Sequence, residues 1–230
     1  MKQLIGMLAT LFIFVSDASS ADNQVTQDAI GNMRLGDPRA PVTVMVWSSM
    51  YCGGCQHWHT NVFPWLKSAY IDQGKVLFVF IETEAAPGTL QTNDYWAYMI
   101  ARCAGPDRYF DVIDTMLRTM SEPQDGPEDR KIIDEAVRNH TDYYTPWRFN
   151  AGRRGGLTDQ QITDCENDAV AWNAVTTRYN ANWEVFHAAD PEDKAGETPL
   201  FLVNGRILTS ADRYTKKGMQ KAIEAAAHGN

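Results

Sequence analysis

The sequence predicts an α/β protein in which a β-α-β unit is followed by a long all-helical stretch and then by a β-hairpin. Apolar runs at 41–47 and 76–81, rich in β-branched and aromatic residues, flank a helical pattern and predict two buried strands joined by a helix. The middle of the chain has helical spacing. Asn204-Gly205, between two short apolar runs, is typical of a hairpin turn.

The composition is that of a globular protein. The chain has 230 residues, of which 44% are hydrophobic and 22% are charged, so it is long enough to bury a sizeable core. Its formal net charge is −8, and it contains no long run of Lys and Arg of the kind that binds nucleic acid. Binding to nucleic acid would have to overcome that negative charge, so we expect no nucleic-acid partner.

The first 21 residues have the pattern of a signal peptide. Lys2 precedes an apolar stretch from Leu4 to Val15, and small residues follow as far as Ala21. The apolar stretch is shorter than the roughly twenty residues that a bilayer requires. We therefore predict a signal peptide at 1–21, cleavage after Ala21, and export to the periplasm, where disulfides persist.

The motif Cys52-Gly53-Gly54-Cys55 lies between the first predicted strand and the predicted helix. Apolar residues recur at helical spacing after Cys55, as far as Gly74. The motif therefore lies at a helix N-terminus, where unpaired N–H groups and the helix dipole stabilise an anion and lower the pKa of a cysteine. This placement predicts a redox dithiol with Cys52 and Cys55 as the catalytic pair.

Two other interpretations of the motif are a structural disulfide and half of a zinc site. A zinc site needs further ligands, usually a second Cys or His pair. His57 and His59 are close in sequence, but they continue the same helix and are poorly placed to share one ion with both sulfurs. We predict that no metal and no organic cofactor is needed.

The spacing of apolar residues and the residues typical of helix ends predict several helices between the two strand regions. A Gly-rich loop interrupts them at 152–156, and a capping box precedes the helix that contains Cys165. The predictions are helices at 94–104 and 109–120, a helix opened by Pro127, a helix opened by Thr158 and Gln161 that continues through Ala169 and Trp172, and a long helical pattern ending near Phe186.

Thr198-Pro199 opens the C-terminal hairpin, at the first position of a strand, where proline is tolerated. Together with Cys-x-x-Cys after the first strand, this pair resembles the thioredoxin superfamily. The helical middle narrows the resemblance to exported disulfide oxidoreductases of DsbA type. Further matches occur at 36–41 and 63–67, and the resemblance covers about residues 30 to 225.

The resemblance implies a thioredoxin fold with an inserted all-helical subdomain. Its two parts would span 30–88 and 172–230, and the insertion 89–171. In this family the proline that matches Pro199 is cis and its loop faces the dithiol, so Thr198 and Pro199 are implied to bind substrate.

The resemblance also implies a function. The chain would be a periplasmic thiol:disulfide oxidoreductase that acts as a disulfide-forming oxidase on reduced or misoxidised exported polypeptides. A membrane redox partner would recycle the dithiol, and the protein would be a monomer. The alternatives are a periplasmic disulfide reductase or isomerase, a metal-handling protein that uses the cysteine pair, and a non-catalytic peptide-binding module.

Cys103 and Cys165 are the remaining cysteines. Four cysteines allow three pairings, and sequence spacing does not choose among them. Both residues fall on apolar faces of predicted helices, so they are either free buried thiols or a bridge within the insertion. Export, the even count and the resemblance favour a structural Cys103–Cys165 disulfide.

The chain departs from the family pattern at two points. Relatives commonly have Pro-His between the two cysteines, where this chain has Gly53 and Gly54. They often have a buried acid six residues before the first cysteine, where this chain has Val46. We interpret His57 and His59 as surface or satisfied histidines, and we expect a weaker oxidant than the Pro-His relatives.

Overall fold

A computed structural model shows a six-stranded mixed sheet with helices on both faces. It describes residues 25–84, 92–121, 135, 138–139, 144–192, 197–209 and 211–229. The predicted signal peptide and the helix predicted from Pro127 lie outside these residues. In the part of the chain that is described, no helix is both long enough and apolar enough to cross a membrane.

The sheet contains the predicted β-α-β unit and hairpin. β3 and β4 are parallel, every other pair of neighbours is antiparallel, and the order across the sheet is β1-β2-β4-β3-β5-β6. Asn204 and Gly205 both have positive φ at the hairpin turn, as their residue types predict. The strands are β1 (Val25–Gln27), β2 (Met33–Leu35), β3 (Val42–Ser48), β4 (Val76–Glu82), β5 (Leu200–Val203) and β6 (Arg206–Ile207).

Eight α-helices lie within the described residues, with a π-helical turn at Lys67–Ile71 and a 3₁₀ turn at Ala211–Tyr214. The two helices that follow the cysteine motif form the crossover between β3 and β4. The helices are α1 (Gly53–Asn61), α2 (Phe63–Leu66), α3 (Thr92–Cys103), α4 (Pro106–Ser121), α5 (Tyr144–Arg154), α6 (Asp159–Glu166), α7 (Ala169–Ala189) and α8 (Lys216–Ala227).

Two local predictions in the insertion are corrected. Gly152 lies in α5 rather than in a loop, because the absence of a side chain there lets α5 pack closely on α6. A Cβ at this position would be 2.7 Å from Ile162 Cδ1. The helix that begins at the predicted Thr158–Gln161 capping box ends at Glu166, because the Asp168 side chain caps a new helix, α7.

The side chains of the central strands alternate between two cores. One core contains Val44, Phe78 and Phe201, together with residues of α1, of the insertion helices and of α8. The other core contains Trp47 and lies under α7, where the Phe186 ring is 5.2 Å from Trp47. The expected division of the chain at 171/172 falls in the first turn of α7, so this helix belongs to both the insertion and the sheet layer.

A buried carboxylate at the end of β4 joins the sheet to the helices on both sides. Glu82 is buried and accepts hydrogen bonds from Arg102 of α3, at 2.6 Å, and from Tyr109 of α4, at 3.0 Å. Its second oxygen accepts from Arg178 of α7 at 3.1 Å. A buried charge with this many partners holds the insertion against the sheet.

We expect Glu82→Gln to lower the free energy of unfolding by about 3 kcal/mol, because it leaves two partly buried arginines without their carboxylate. The measurement is urea denaturation at pH 7. Asp111→Asn breaks the exposed pair with Arg108 and is the matched control, with an expected loss below about 1 kcal/mol. Equal losses in the two variants would contradict a structural role for the Glu82 network.

Candidate active site

Cys52 is the N-cap residue of α1, and its sulfur faces the first turn of that helix. The N–H of Cys55 donates to Cys52 Sγ at 3.1 Å. The Cys52 thiol in turn donates to the carbonyl oxygen of Thr198 at 3.1 Å. The sulfur therefore has the position of a capping oxygen, where an anion is stabilised by helix N–H groups.

These contacts change the acidity of Cys52. Its pKa is lowered from the ordinary 9.0 to about 6, chiefly by its hydrogen bond with the Cys55 side chain. The side chain of Thr198 and the backbone of Cys55 and Gly54 lower the pKa further, against partial burial, which raises it. Cys52 is half-buried, and its lowered pKa favours the thiolate form.

Cys55 lies in the opposite environment. Only 1% of its surface is exposed, and burial raises its pKa well above 9.0, with the Cys52 side chain adding to the effect. Hydrogen bonds from the backbone of Ser49 and the side chain of Ser48 act against this rise. The pair is present as a dithiol, with one accessible, acidic sulfur and one buried, protonated sulfur.

The loop before β5 lies against this dithiol. The Thr198–Pro199 peptide bond is cis. A Cβ placed on Gly54 would be 3.3 Å from Pro199 Cδ and 3.7 Å from both Cys52 Sγ and the Thr198 carbonyl oxygen. The structure therefore brings Thr198 and Pro199 to Cys52 and the first turn of α1.

The structure places a buried carboxyl group behind the site that sequence reasoning missed. Val46 is buried in β3, between Phe80 and Phe201 of the neighbouring strands. Asp94, in the first turn of α3, is fully buried and accepts from the Met50 N–H at 2.7 Å. Burial raises the pKa of Asp94 to about 7. An acid in a first helical turn is so common that the sequence contained no distinguishing signal.

Two aromatic rings border Tyr51, the residue before Cys52, and were also missed. The ring of Tyr51 is 4.9 Å from that of Tyr144 and 6.0 Å from that of Trp147, both in α5. Tyr51 and Tyr144 are half-buried, whereas Trp147 is buried. Helix α5 therefore brings the insertion up to the cysteine motif from one side.

Neither histidine near the motif is among the groups that lower the pKa of Cys52. His57 is exposed, and its Nδ1 is 3.2 Å from the amide nitrogen of Asn61. His59 is buried, lies 3.0 Å from Asp114 of α4, and has a pKa lowered by burial. Among the residues with described positions, no three His, Cys, Asp or Glu side chains form a group that could hold a metal ion.

Cys103 and Cys165 are joined by a disulfide, with their Cα atoms 6.4 Å apart. Cys103 is the last residue of α3, and Cys165 lies in α6. The bond therefore links two helices of the insertion, and it does not involve the sulfurs of the dithiol.

Comparison with known proteins gives a consistent result. A family model described as thioredoxin matches residues 28–225. A Rickettsia conorii protein provisionally named a protein-disulfide oxidoreductase is 26% identical over 200 residues, covering 83% of this chain and 63% of that protein. A similarly named protein of Rickettsia bellii is 26% identical over 85% of this chain and 64% of its own length. The chain thus spans just under two thirds of these curated relatives.

Two solved structures have a similar fold. The crystal structure of α-DsbA1 from Wolbachia pipientis has a TM-score of 0.58 and 19% identity, and covers 88% of this chain and 94% of that chain. A protein-disulfide isomerase from Novosphingobium aromaticivorans has a TM-score of 0.60 and 16% identity, covering 90% and 98%. Both support the same arrangement of sheet and helices.

We expect Thr198→Val to raise the pKa of Cys52, because it removes a side-chain hydrogen bond but keeps the backbone carbonyl. The measurement is the rate of iodoacetamide alkylation of the reduced protein against pH, with a wild-type midpoint of about 6. Thr209→Val, at an exposed position after β6, is the control. Cys55 should stay unlabelled until the protein unfolds, and preferential labelling of Cys55 would contradict the assignment.

Proposed function

The chain belongs to the thioredoxin family whose model matches residues 28–225, and on this basis we propose that it is an exported thiol:disulfide oxidoreductase of DsbA type. It would exchange a Cys52–Cys55 disulfide with cysteines of exported proteins, acting as a disulfide-forming oxidase. The observation that carries the proposal is the contrast between the two sulfurs. One is accessible and acidic, and the other is buried and stays protonated.

This contrast suits a two-step exchange. A substrate thiolate attacks Cys52 Sγ of the oxidised protein, the Cys52–Cys55 bond breaks, and Cys55 leaves with the electron pair and takes up a proton. A second substrate thiolate then attacks the substrate sulfur of the mixed disulfide, and Cys52 leaves as a thiolate. The substrate is oxidised to a disulfide by two electrons, and the protein is reduced to the dithiol.

The acidity of Cys52 favours oxidation as the net direction. A stabilised thiolate stabilises the reduced protein, which makes its disulfide a better oxidant. The lowered pKa of Cys52, about 6, therefore supports an oxidase. Glycines at positions 53 and 54 in place of Pro-His favour a weaker oxidant than the Pro-His relatives.

Thr198 and Pro199 are proposed to receive the substrate polypeptide. They lie against the first turn of α1, and the Thr198 carbonyl oxygen is 3.1 Å from Cys52 Sγ. An extended substrate could pair with this stretch of backbone and bring its sulfur to Cys52. A membrane redox partner would then accept two electrons from the dithiol. We propose that the protein is a monomer and that the signal peptide at 1–21 directs its export to the periplasm.

We expect Cys52→Ser to abolish oxidation of a reduced dithiol peptide. When a peptide disulfide is supplied instead, the Cys52 thiolate of Cys55→Ser should attack it, release one peptide thiol and form a mixed disulfide that persists, because the second sulfur of the pair is missing. Mass spectrometry of the trapped species identifies the attacking cysteine. Formation of a mixed disulfide at Cys55 in Cys52→Ser as readily as at Cys52 in Cys55→Ser would contradict the proposed order of attack.

Equilibration of the wild-type pair with glutathione determines the direction of exchange. We expect a potential between about −120 mV, that of a strong oxidant, and about −270 mV, that of thioredoxin. A value at or below the thioredoxin level would favour the reductase alternative instead. Stoichiometric retention of Cu(I) or zinc without exchange activity would favour the metal-handling alternative.

The difference in stability between the reduced and oxidised proteins should depend on pH. The folded pKa of Cys52 is about 6 and the ordinary value is 9.0, so between these values the unfolded reduced chain binds the extra proton. The free energy of unfolding of the reduced form should therefore rise relative to the oxidised form from pH 6 to pH 9, and this gain should be lost below pH 6.

Urea denaturation of both forms at pH 5, 7 and 9 measures this difference. Cys55 also titrates only in the reduced form, but its raised pKa opposes the rise only near and above pH 9. The remaining titrating groups occur in both forms, so their contributions largely cancel. The Cys52→Ser variant, which lacks the acidic thiol, is the reference for the reduced protein and should show no such rise across this window. A difference between the reduced and oxidised forms that stays constant or shrinks with pH would contradict an acidic Cys52 in the folded state.

A further inference from the structure

The segment between β3 and α1, which contains Ser49 and Met50, is hydrogen-bonded to one carboxyl group of the insertion, that of Asp94. Asp94 Oδ1 accepts from the Met50 N–H at 2.7 Å, and the Ser49 hydroxyl donates to both oxygens of Asp94, at 3.0 and 3.2 Å. All three residues are fully buried. These hydrogen bonds cross from α3 to the segment that leads directly into Cys52.

Asp94 has other polar neighbours besides this segment. The Tyr98 hydroxyl, one turn along α3, is 3.5 Å from Asp94 Oδ1. Glu84, which follows β4, is close enough that its charge adds to the raised pKa of Asp94. In turn, the charges of Glu84 and Asp94 help to raise the pKa of Tyr95.

The Ser49 hydroxyl extends the contact towards the cysteines. It accepts from the Tyr51 N–H at 3.0 Å while it donates to Asp94, so one hydroxyl fixes the turn at both of its sides. The Ser49 carbonyl oxygen accepts from the Cys52 N–H at 3.4 Å. The path from Asp94 to the backbone of Cys52 therefore passes through one residue, Ser49, and two hydrogen bonds.

The same segment also supplies donors to the second sulfur. The backbone of Ser49 and the side chain of Ser48 hydrogen-bond to Cys55. The Ser48 carbonyl oxygen accepts from the Tyr98 hydroxyl at 2.7 Å, and the Met50 carbonyl oxygen accepts from the Gln56 side chain at 2.6 Å. A change in the position of Ser49 would therefore alter the surroundings of both sulfurs.

We propose that Asp94 is a positioning residue for the dithiol, an inference that rests on the proposed function of Cys52 and Cys55. By holding Ser49 and Met50, it keeps Cys52 at the N-cap of α1 and keeps the Ser48 and Ser49 donors at Cys55. It acts through the geometry of the segment and touches neither sulfur nor substrate.

The position of the Asp94 side chain and its negative charge have opposite effects on the pKa of Cys52, so an experiment can distinguish them. The negative charge of Asp94 can only disfavour a nearby thiolate, so an effect through charge predicts that removing it lowers the pKa of Cys52. An effect through position predicts that removing Asp94 raises that pKa, because the hydrogen bonds to the thiolate lose their alignment.

The experiment is alkylation of Cys52 against pH in reduced Asp94→Ala, Asp94→Asn and Ser49→Ala proteins. At pH 6, the wild-type midpoint, we expect Asp94→Ala and Ser49→Ala to alkylate at least about threefold more slowly, because their Cys52 pKa is higher. Asp94→Asn keeps an oxygen acceptor for the Met50 N–H and should fall between these variants and the wild type.

Ser49→Ala keeps the charge of Asp94 and separates the two explanations even if Asp94→Ala fails to fold. A Ser49→Ala midpoint equal to the wild-type value, or an Asp94→Asn midpoint below it, would overturn the proposal. Glu166→Gln is the matched control, because it removes a partly buried acid that pairs with Arg148 elsewhere in the insertion. It should lose stability without a shift in the midpoint.

The readout needs neither substrate nor redox partner. If wild-type protein fails to exchange with dithiol peptides, the proposed function fails while the shift in the Cys52 midpoint can still be measured. If exchange is normal and the midpoints of all variants match the wild type, only the role of Asp94 fails.

Discussion

The parallel pairing of β3 with β4 is the constraint on which the rest of the site depends. Parallel neighbours need a crossover connection, and here α1 and α2 supply it. The crossover starts at the carboxyl end of β3, so the first turn of α1 lies at the edge of the sheet formed by the carboxyl ends of β3 and β4. Because β5 runs antiparallel to β3, the residues that precede β5 reach the same edge. The topology thus brings Cys52 and Pro199 together from positions far apart in the chain.

The chemistry of the site follows from a steep change in burial over three residues. Cys52 lies at the rim of α1, with helix N–H groups directed at its sulfur, whereas Cys55 lies one turn inside and is covered by the core. Hydrogen bonding favours the anion at the first position and desolvation disfavours it at the second. One helix start therefore produces two thiols of unlike acidity, although Gly53 and Gly54 contribute no side-chain donor.

Features encoded in short stretches of sequence were predictable, and features made by distant contacts were not. The strands at 42–48 and 76–82, the cysteine motif at a helix start and the Asn204-Gly205 turn depend on neighbouring residues, and they were found. Gly152 was assigned to a loop because its role is a contact with Ile162 in another helix. Asp94 resembled an ordinary first-turn acid, since its partners lie 44 and 45 residues earlier in the chain.

Helix α3 makes two connections to the rest of the protein. In its first turn, Asp94 accepts a hydrogen bond from Met50, which lies between β3 and α1, and its last residue, Cys103, forms the disulfide with Cys165 of α6. The insertion is for this reason not a module that can be exchanged independently of the sheet. A chimera that took α3 from a relative would also replace the residue that hydrogen-bonds to the backbone beneath the cysteines. During divergence of such proteins, substitutions in the insertion can thus tune a reactive pair located in another part of the chain, without any change in the cysteine motif itself.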